Sequence, residues 1–188
     1  MSEKLNIAVI KGDGIGIDVT EATMAVVTAA LTRLGLPALH ETHISAGAGH
    51  FRDTGRDIQK GGEELAGSAD AIFLGAIGLP SVRHADGTEI SPHLRLRDQF
   101  GLYAWVRPVK TYPNAPQRLA DPRAAKIDMV ILRESTEGLF YSAAVHDRSI
   151  VKGDDEVQDF MRITRPTTEK LHHFGCKLAQ KRRERGKL

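Results

Sequence analysis

The stretch from Leu5 to Ile10 is a short, mostly apolar run that ends in the glycine-punctuated segment KGDGIG. Beyond it Ile15, Val19, Ala22, Val26, Ala30 and Leu34 recur at intervals of three or four, which draws one apolar stripe along a helix. Gly35 and Pro37 stop that helix, and Asp13 and Asp18 sit near its electropositive N-terminal end. ALHETHI then reads as a second strand, EELAGSA as a short helical turn, and DAIFLGAI as a third, strongly apolar strand closed by GLP. This alternation predicts an α/β layer on a mostly parallel sheet.

The character changes from Ser91. SPHLRLRDQF begins with Ser91 as an N-cap and Pro92 at the first helical position. LYAWVRPV is a strand stopped by Pro108, TYPNAPQRLADPR is loop, and IDMVILRE is another buried strand. STEGLFYSAAVHDRSIVKG alternates weakly, as a hairpin or an extended arm does, and DFMRITR reads as a strand. Pro166 opens a last helix with Leu171, Phe174 and Leu178 on one face. About five strands and four helices result, and the last helix runs to the C-terminus without a closing element, so the chain reads as cut rather than finished.

Composition narrows the classes. With 41% hydrophobic residues in 188, the chain can bury one ordinary domain or parts of two. Lys and Arg outnumber Asp and Glu by only 26 to 24, so no chain-wide field draws the protein to nucleic acid or to a membrane surface. No apolar run approaches the roughly 20 residues of a membrane span, and the N-terminus lacks a secretory pattern. Cys176 is the single cysteine, which excludes an intrachain disulfide and a cysteine-based zinc cluster; its place beside Phe174 reads as core packing. A cytoplasmic location is the default.

Two features carry chemistry. KGDGIG has Gly12, Gly14 and Gly16, but Ile17 stands where a dinucleotide fingerprint needs its third glycine, so a tight strand-to-helix turn explains it at least as well. The segment HLRLRDQFGLYAWVRPVK is different, because it gathers Arg95, Arg97, Arg107 and Lys110 in a nearly neutral chain. A nucleic-acid patch, a solvated helix face and a pocket for a small polyanion compete to explain it. Nucleic acid needs a broad basic surface with stacking aromatics, whereas Tyr103 and Trp105 alternate inside a strand and read as packing. Arg97 ends a helix, Arg107 ends the next strand, and Arg133 ends MVILRE. Strand ends are where open α/β sheets collect ligand groups, and a guanidinium fork suits a carboxylate bidentately. Three such groups in convergence would hold a di- or tricarboxylate. Arg95 points to another side of the helix and reads as solvated. The pairs His40/His43 and His172/His173 lack metal-site spacing.

Taken together, IAVIKGDGIGIDV, GAIGLP, DGTEISPHLRLRDQFGLYAWVRPVK and VILRESTEGLF resemble the metal-dependent decarboxylating 2-hydroxyacid dehydrogenases, the isocitrate/isopropylmalate dehydrogenase family, which includes tartrate/D-malate dehydrogenases. ITRPTTEKLHHFGCKLAQKRRERGK looks like that family's arm-to-helix segment. The resemblance implies an isopropylmalate-dehydrogenase-like α/β fold rather than the usual Rossmann fold, here incomplete at the C-terminus. Residues 1–98 would be the first part of a discontinuous large domain, and residues 99–188 a truncated substrate and dimerisation domain. It implies NAD(P)-dependent, Mg²⁺- or Mn²⁺-dependent oxidative decarboxylation of a malate-type 2-hydroxy acid of the 3-isopropylmalate, tartrate/D-malate or isocitrate class. Arg97, Arg107 and Arg133 take the places of the substrate clamp, Ser91 that of a residue reading the variable group, and Gly75, Ala76, Ile77 and Gly78 that of the loop beside the nicotinamide. The family's tyrosine falls on Phe140, with Tyr141 next; Tyr141 is assigned the catalytic role and the choice between the two stays open. Lys11 and Ile17 replace common prolines, and His93 stands where asparagine is usual. Metal ligands, the lysine base and the adenosine segment are expected beyond residue 188. A homodimer with no nucleic-acid or membrane partner follows, as does inactivity of this chain alone. The alternatives are a catalytically dead regulatory partner subunit and a carboxylate-binding module.

Overall fold

The computed structural model describes residues 4–142 and 150–182. They form two compact units, Met1–Leu96 and Arg97–Leu188, with the division inside a helix.

In the first unit, β1 (Asn6–Ile10) lies between β2 (His40–His43) and β3 (Ala71–Leu74), and both pairings are parallel. The fully buried Ala8, Val9 and Ile10 make β1 the centre of the layer. Helices α1 (Ile15–Leu34), α2 (Ala48–Thr54) and α3 (Gly62–Ser68) make the connections. Ile44, Ala46, Ala48, Ile58, Ala66, Ile90 and Leu96 are the other buried apolar residues of this unit. The predicted α/β alternation with a parallel sheet is therefore found.

Helix α1 forms where predicted, but it is rotated. The side facing the sheet carries the buried Gly16 and Thr20, while Ile15, Val19, Val26 and Leu34 of the predicted stripe are 51–69% exposed. Gly16 decides the rotation: a Cβ there would lie 2.5 Å from the Lys11 carbonyl and 2.7 Å from the Ala76 backbone. Only a glycine face allows that approach. With an 18-residue window of mean hydropathy 1.4, α1 is also long and apolar enough to cross a membrane, contrary to the expectation that no run is. It follows β1 directly, and its Glu21 pairs with Lys11 at 2.7 Å.

Helix α2 has no counterpart in the sequence reading. Its AGHFRDT sequence has no cap of its own, and the acceptor for its first amides is Asp13.

The second unit opens with Arg97 in the last turn of α4 (Pro92–Gln99). β4 (Ala104–Lys110) and β5 (Asp128–Glu134) form an antiparallel ribbon. Pro108 does not stop β4: it sits opposite Val130 within the ladder. A two-stranded ribbon is all edge, where a missing N–H is tolerated. Along β5 the residues 128, 130 and 132 are half-buried, and 129, 131 and 133 are exposed. Asp128 accepts from Arg182 just beyond α5 (Arg165–Lys181), so the helix lies on the half-buried face. β6 (Ile150–Lys152) and β7 (Glu156–Gln158) form a small hairpin. DFMRITR is not a strand; its only pairing among the described residues is an isolated bridge from Arg162 to Gly138. Cys176 is exposed rather than packed in a core.

Candidate functional site

The site is built by register. In the β4–β5 ribbon Trp105 lies opposite Arg133, and Arg107 follows two residues along on the same face. Arg97 comes to the same ring from α4. The guanidinium carbons of Arg107, Arg97 and Arg133 lie 3.7, 4.9 and 5.3 Å from the Trp105 ring centroid. Phe140 adds a second ring, 5.0 Å from Arg133 and 6.0 Å from Arg97. All three arginines thus share one aromatic floor.

Glu134 is the acid nearest to Arg133 in sequence. That carboxylate is engaged with its own turn. Its Oε1 accepts from the amide and hydroxyl of Thr136 at 2.7 and 2.6 Å, and its Oε2 from the amide of Glu137 at 2.7 Å. Glu137 turns away as well, to the Thr164 amide and hydroxyl at 2.7 and 2.6 Å, which ties the turn to the start of α5. Burial pushes the Glu137 carboxyl up, but the Thr164 hydroxyl and amide, with Thr167 and the charge of Arg162, outweigh it and hold the group below the usual carboxylate range. Among the described residues, the ion pairs formed include none with Arg97, Arg107 or Arg133. Burial, and then the charges of Arg133 and Arg107, pull the Arg97 guanidinium below its ordinary value. It remains protonated, and the trio presents concentrated positive charge.

Arg95, two residues before Arg97, shows what a neutralised arginine looks like in this chain. Its Nη1 and Nη2 donate to the two oxygens of Asp57 at 2.7 and 3.0 Å, and its Nε donates to Glu63 at 2.6 Å. Its expected solvation is therefore replaced by a bidentate pair. The Asp57 hydrogen bonds and charge raise its pKa further.

The remaining predicted residues are placed as follows. Ser91 stands just before α4, in the first unit, where its carbonyl accepts from Leu94. The Gly75–Gly78 segment is locked to the β1–α1 loop: Gly75 donates to Ile10 at 2.7 Å, Ala76 accepts from Asp13 at 2.7 Å, and Gly78 donates to the Asp13 carboxylate at 2.8 Å. Glycines in KGDGIG thus serve loop-to-loop packing. Tyr141 carries Arg162 over its ring at 4.4 Å, whereas Phe140 borders the arginine trio. Among the described residues no group of three or more His, Cys, Asp or Glu could hold a metal ion. Sequence reasoning missed Trp105 as part of the site; the signal was its spacing of two from Arg107 on a strand, which puts both on one face.

A sequence profile of the isocitrate/isopropylmalate dehydrogenase family matches residues 6–188. Over 187 residues the chain is 33% identical to a 3-isopropylmalate dehydrogenase of Heyndrickxia coagulans, covering 97% of this chain and 50% of that one. It is 29% identical to the decarboxylating D-malate dehydrogenase of Escherichia coli (strain K12), covering 97% and 50%. The crystal structure of the TT0538 protein from Thermus thermophilus superposes with a TM-score of 0.76 at 30% identity, over 94% of this chain and 32% of that one. The chain spans about half the length of the curated relatives it matches. A match that runs from β1 to the last residue is more than a local likeness: the chain belongs to the isocitrate/isopropylmalate dehydrogenase family.

Proposed function

We propose that this chain supplies the carboxylate clamp of an NAD(P)-dependent, Mg²⁺- or Mn²⁺-dependent dehydrogenase that oxidatively decarboxylates a malate-type 2-hydroxy acid. The observation that carries the reading is the set of three guanidinium groups within 5.3 Å of one ring centroid, without an ion pair to any of them among the described residues. Among the described residues such a cluster has no acidic partner, which suits it to a polyanion. Planar forks can grip two or three carboxylates bidentately, which orients the carbon skeleton between them. The clamp supplies binding and orientation, with the rings of Trp105 and Phe140 beside the Arg133 guanidinium. In this reading residues 1–98 serve as the first part of the large domain, and residues 99–188 as the substrate and dimer-forming part.

The described residues do not form a metal-ligand set, so no step is assigned through a metal. The outer edge of the Gly75–Gly78 loop is the place proposed for a nicotinamide. Ala76 and Gly78 are exposed there, and nothing lies within 4 Å of the place a Gly78 Cβ would take. Ile77 and Gly78 would line that ring, whose chemistry when bound is hydride acceptance. Tyr141, with Arg162 over its ring, stays the residue proposed for proton transfer, and Phe140, the other candidate for that position, borders the clamp without a group that could carry a proton.

The test uses Trp105, the single tryptophan of the chain, as its own reporter. Titration of the 188-residue chain with D-malate, tartrate, isocitrate, 3-isopropylmalate and citrate should give a saturable fluorescence change. Arg107→Met and Arg133→Met should each weaken it by about tenfold or more, the effect of removing one charged hydrogen-bonding partner. Absence of saturation with every acid, or saturation indifferent to both substitutions, overturns the reading.

A further inference from the structure

We infer that Trp105 is a positioning residue for the arginine trio, its indole face standing in for a carboxylate partner that the described residues do not supply; this rests on the clamp reading above. Three like charges near one another repel, and proteins ordinarily relieve this with acidic partners. Here Glu134 is engaged within its own turn and Glu137 at Thr164. The negative face of an indole attracts a guanidinium by its quadrupole, and Trp is the strongest side chain for this. Stacking uses the flat face of a guanidinium and leaves its N–H edge free for a ligand. A carboxylate in the same place would occupy that edge. An aromatic floor therefore orients the arginines while keeping their donors available, which an acid cannot do.

The contacts are unequal in a way that sharpens the inference. Arg97 and Arg133 each touch both Trp105 and Phe140, whereas Arg107 has Trp105 as its aromatic partner, at the shortest distance, 3.7 Å. Arg107 should depend on Trp105 most. The ring is also half-buried on the exposed face of the ribbon rather than enclosed in apolar packing, with Arg107 and Arg133 exposed beside it.

Two measurements on the full chain test this. The first needs no ligand: in proton NMR the side-chain methylene protons of Arg107 should be shifted upfield by the Trp105 ring current, and the shift should vanish in Trp105→Leu. The second reads citrate affinity by calorimetry. Trp105→Leu should weaken it by about tenfold, while Trp105→Phe, which keeps a π face, should stay within about threefold. Fluorinated tryptophans, incorporated at this single position, weaken the negative face without changing the shape, so affinity should fall stepwise with fluorine number even if Trp105→Leu does not fold. Citrate affinity unchanged by fluorination, or no ring-current shift at Arg107, overturns the inference. A wild-type chain that shows the shift but binds none of the acids overturns the carboxylate reading and upholds the stacking.

Discussion

Replacing Asp13 tests whether one buried carboxylate holds the loops of the first unit together. Its Oδ2 accepts from the amides of Ala48 and Gly78, both at 2.8 Å, and its Oδ1 from Gly49 at 2.7 Å. Asp13 is 6% exposed and Ala48 fully buried, whereas the Gly49 and Gly78 bonds lie nearer to solvent. A hydrogen bond to a charged group contributes about 1.5–3 kcal/mol, and a buried donor without an acceptor costs about 1–3 kcal/mol. Asp13→Ala removes the acceptor of all three amides; the Gly49 and Gly78 amides can regain water, and the Ala48 amide cannot. The expected loss is about 3–5 kcal/mol, out of a domain stability of about 5–15 kcal/mol. Asp13→Asn keeps one carbonyl oxygen but turns an amide NH₂ toward a donor, so about 2–3 kcal/mol should be lost. Gly47→Ala should disturb the same site from outside, since its Cβ would stand 2.4 Å from Asp13 Oδ2 at a φ of +116°. Urea unfolding followed by circular dichroism gives the magnitudes, and native-state hydrogen exchange locates them at the Ala48, Gly49 and Gly78 amides. A loss below about 1 kcal/mol in Asp13→Ala, with protection at Ala48 unchanged, would refute the reasoning.

Glu137 makes stability pH-dependent, because its folded pKa lies below the usual carboxylate value. Its contribution is present above the unfolded value of about 4.3 and is lost as pH falls through the lower folded value. Glu137→Gln should therefore be less stable than wild type by about 1–2 kcal/mol near neutrality and approach it in acid, as urea midpoints across the range will tell; a constant difference contradicts the assignment. Arg95→Met should lower stability by about 1 kcal/mol, since the side chain is 43% exposed, yet leave citrate affinity unchanged, because Arg95 is turned to Asp57 and Glu63. Cys176 should react with an aromatic disulfide reagent in the native protein, one equivalent per chain, and reaction only after denaturation would place it in a core.

The local pattern of residues determined much of this protein. The apolar runs at β1, β3 and β5, the proline-led starts of α4 and α5, and the alternation that makes the first unit parallel all follow from neighbours in sequence. The arginines at positions 97, 107 and 133 were legible as well, because strand and helix ends are marked by local signals. Tertiary structure decided the rest. The rotation of α1 depends on the Ala76 backbone meeting Gly16, and α2 depends on a carboxylate 35 residues earlier in the chain. Glu134 neighbours Arg133 in sequence and yet turns to Thr136 and Glu137, while Trp105 reaches Arg133 only through the pairing of β4 with β5. Periodicity states which residues share a face; it does not state what that face meets, because the partner lies far along the chain and its approach is set by backbone fit.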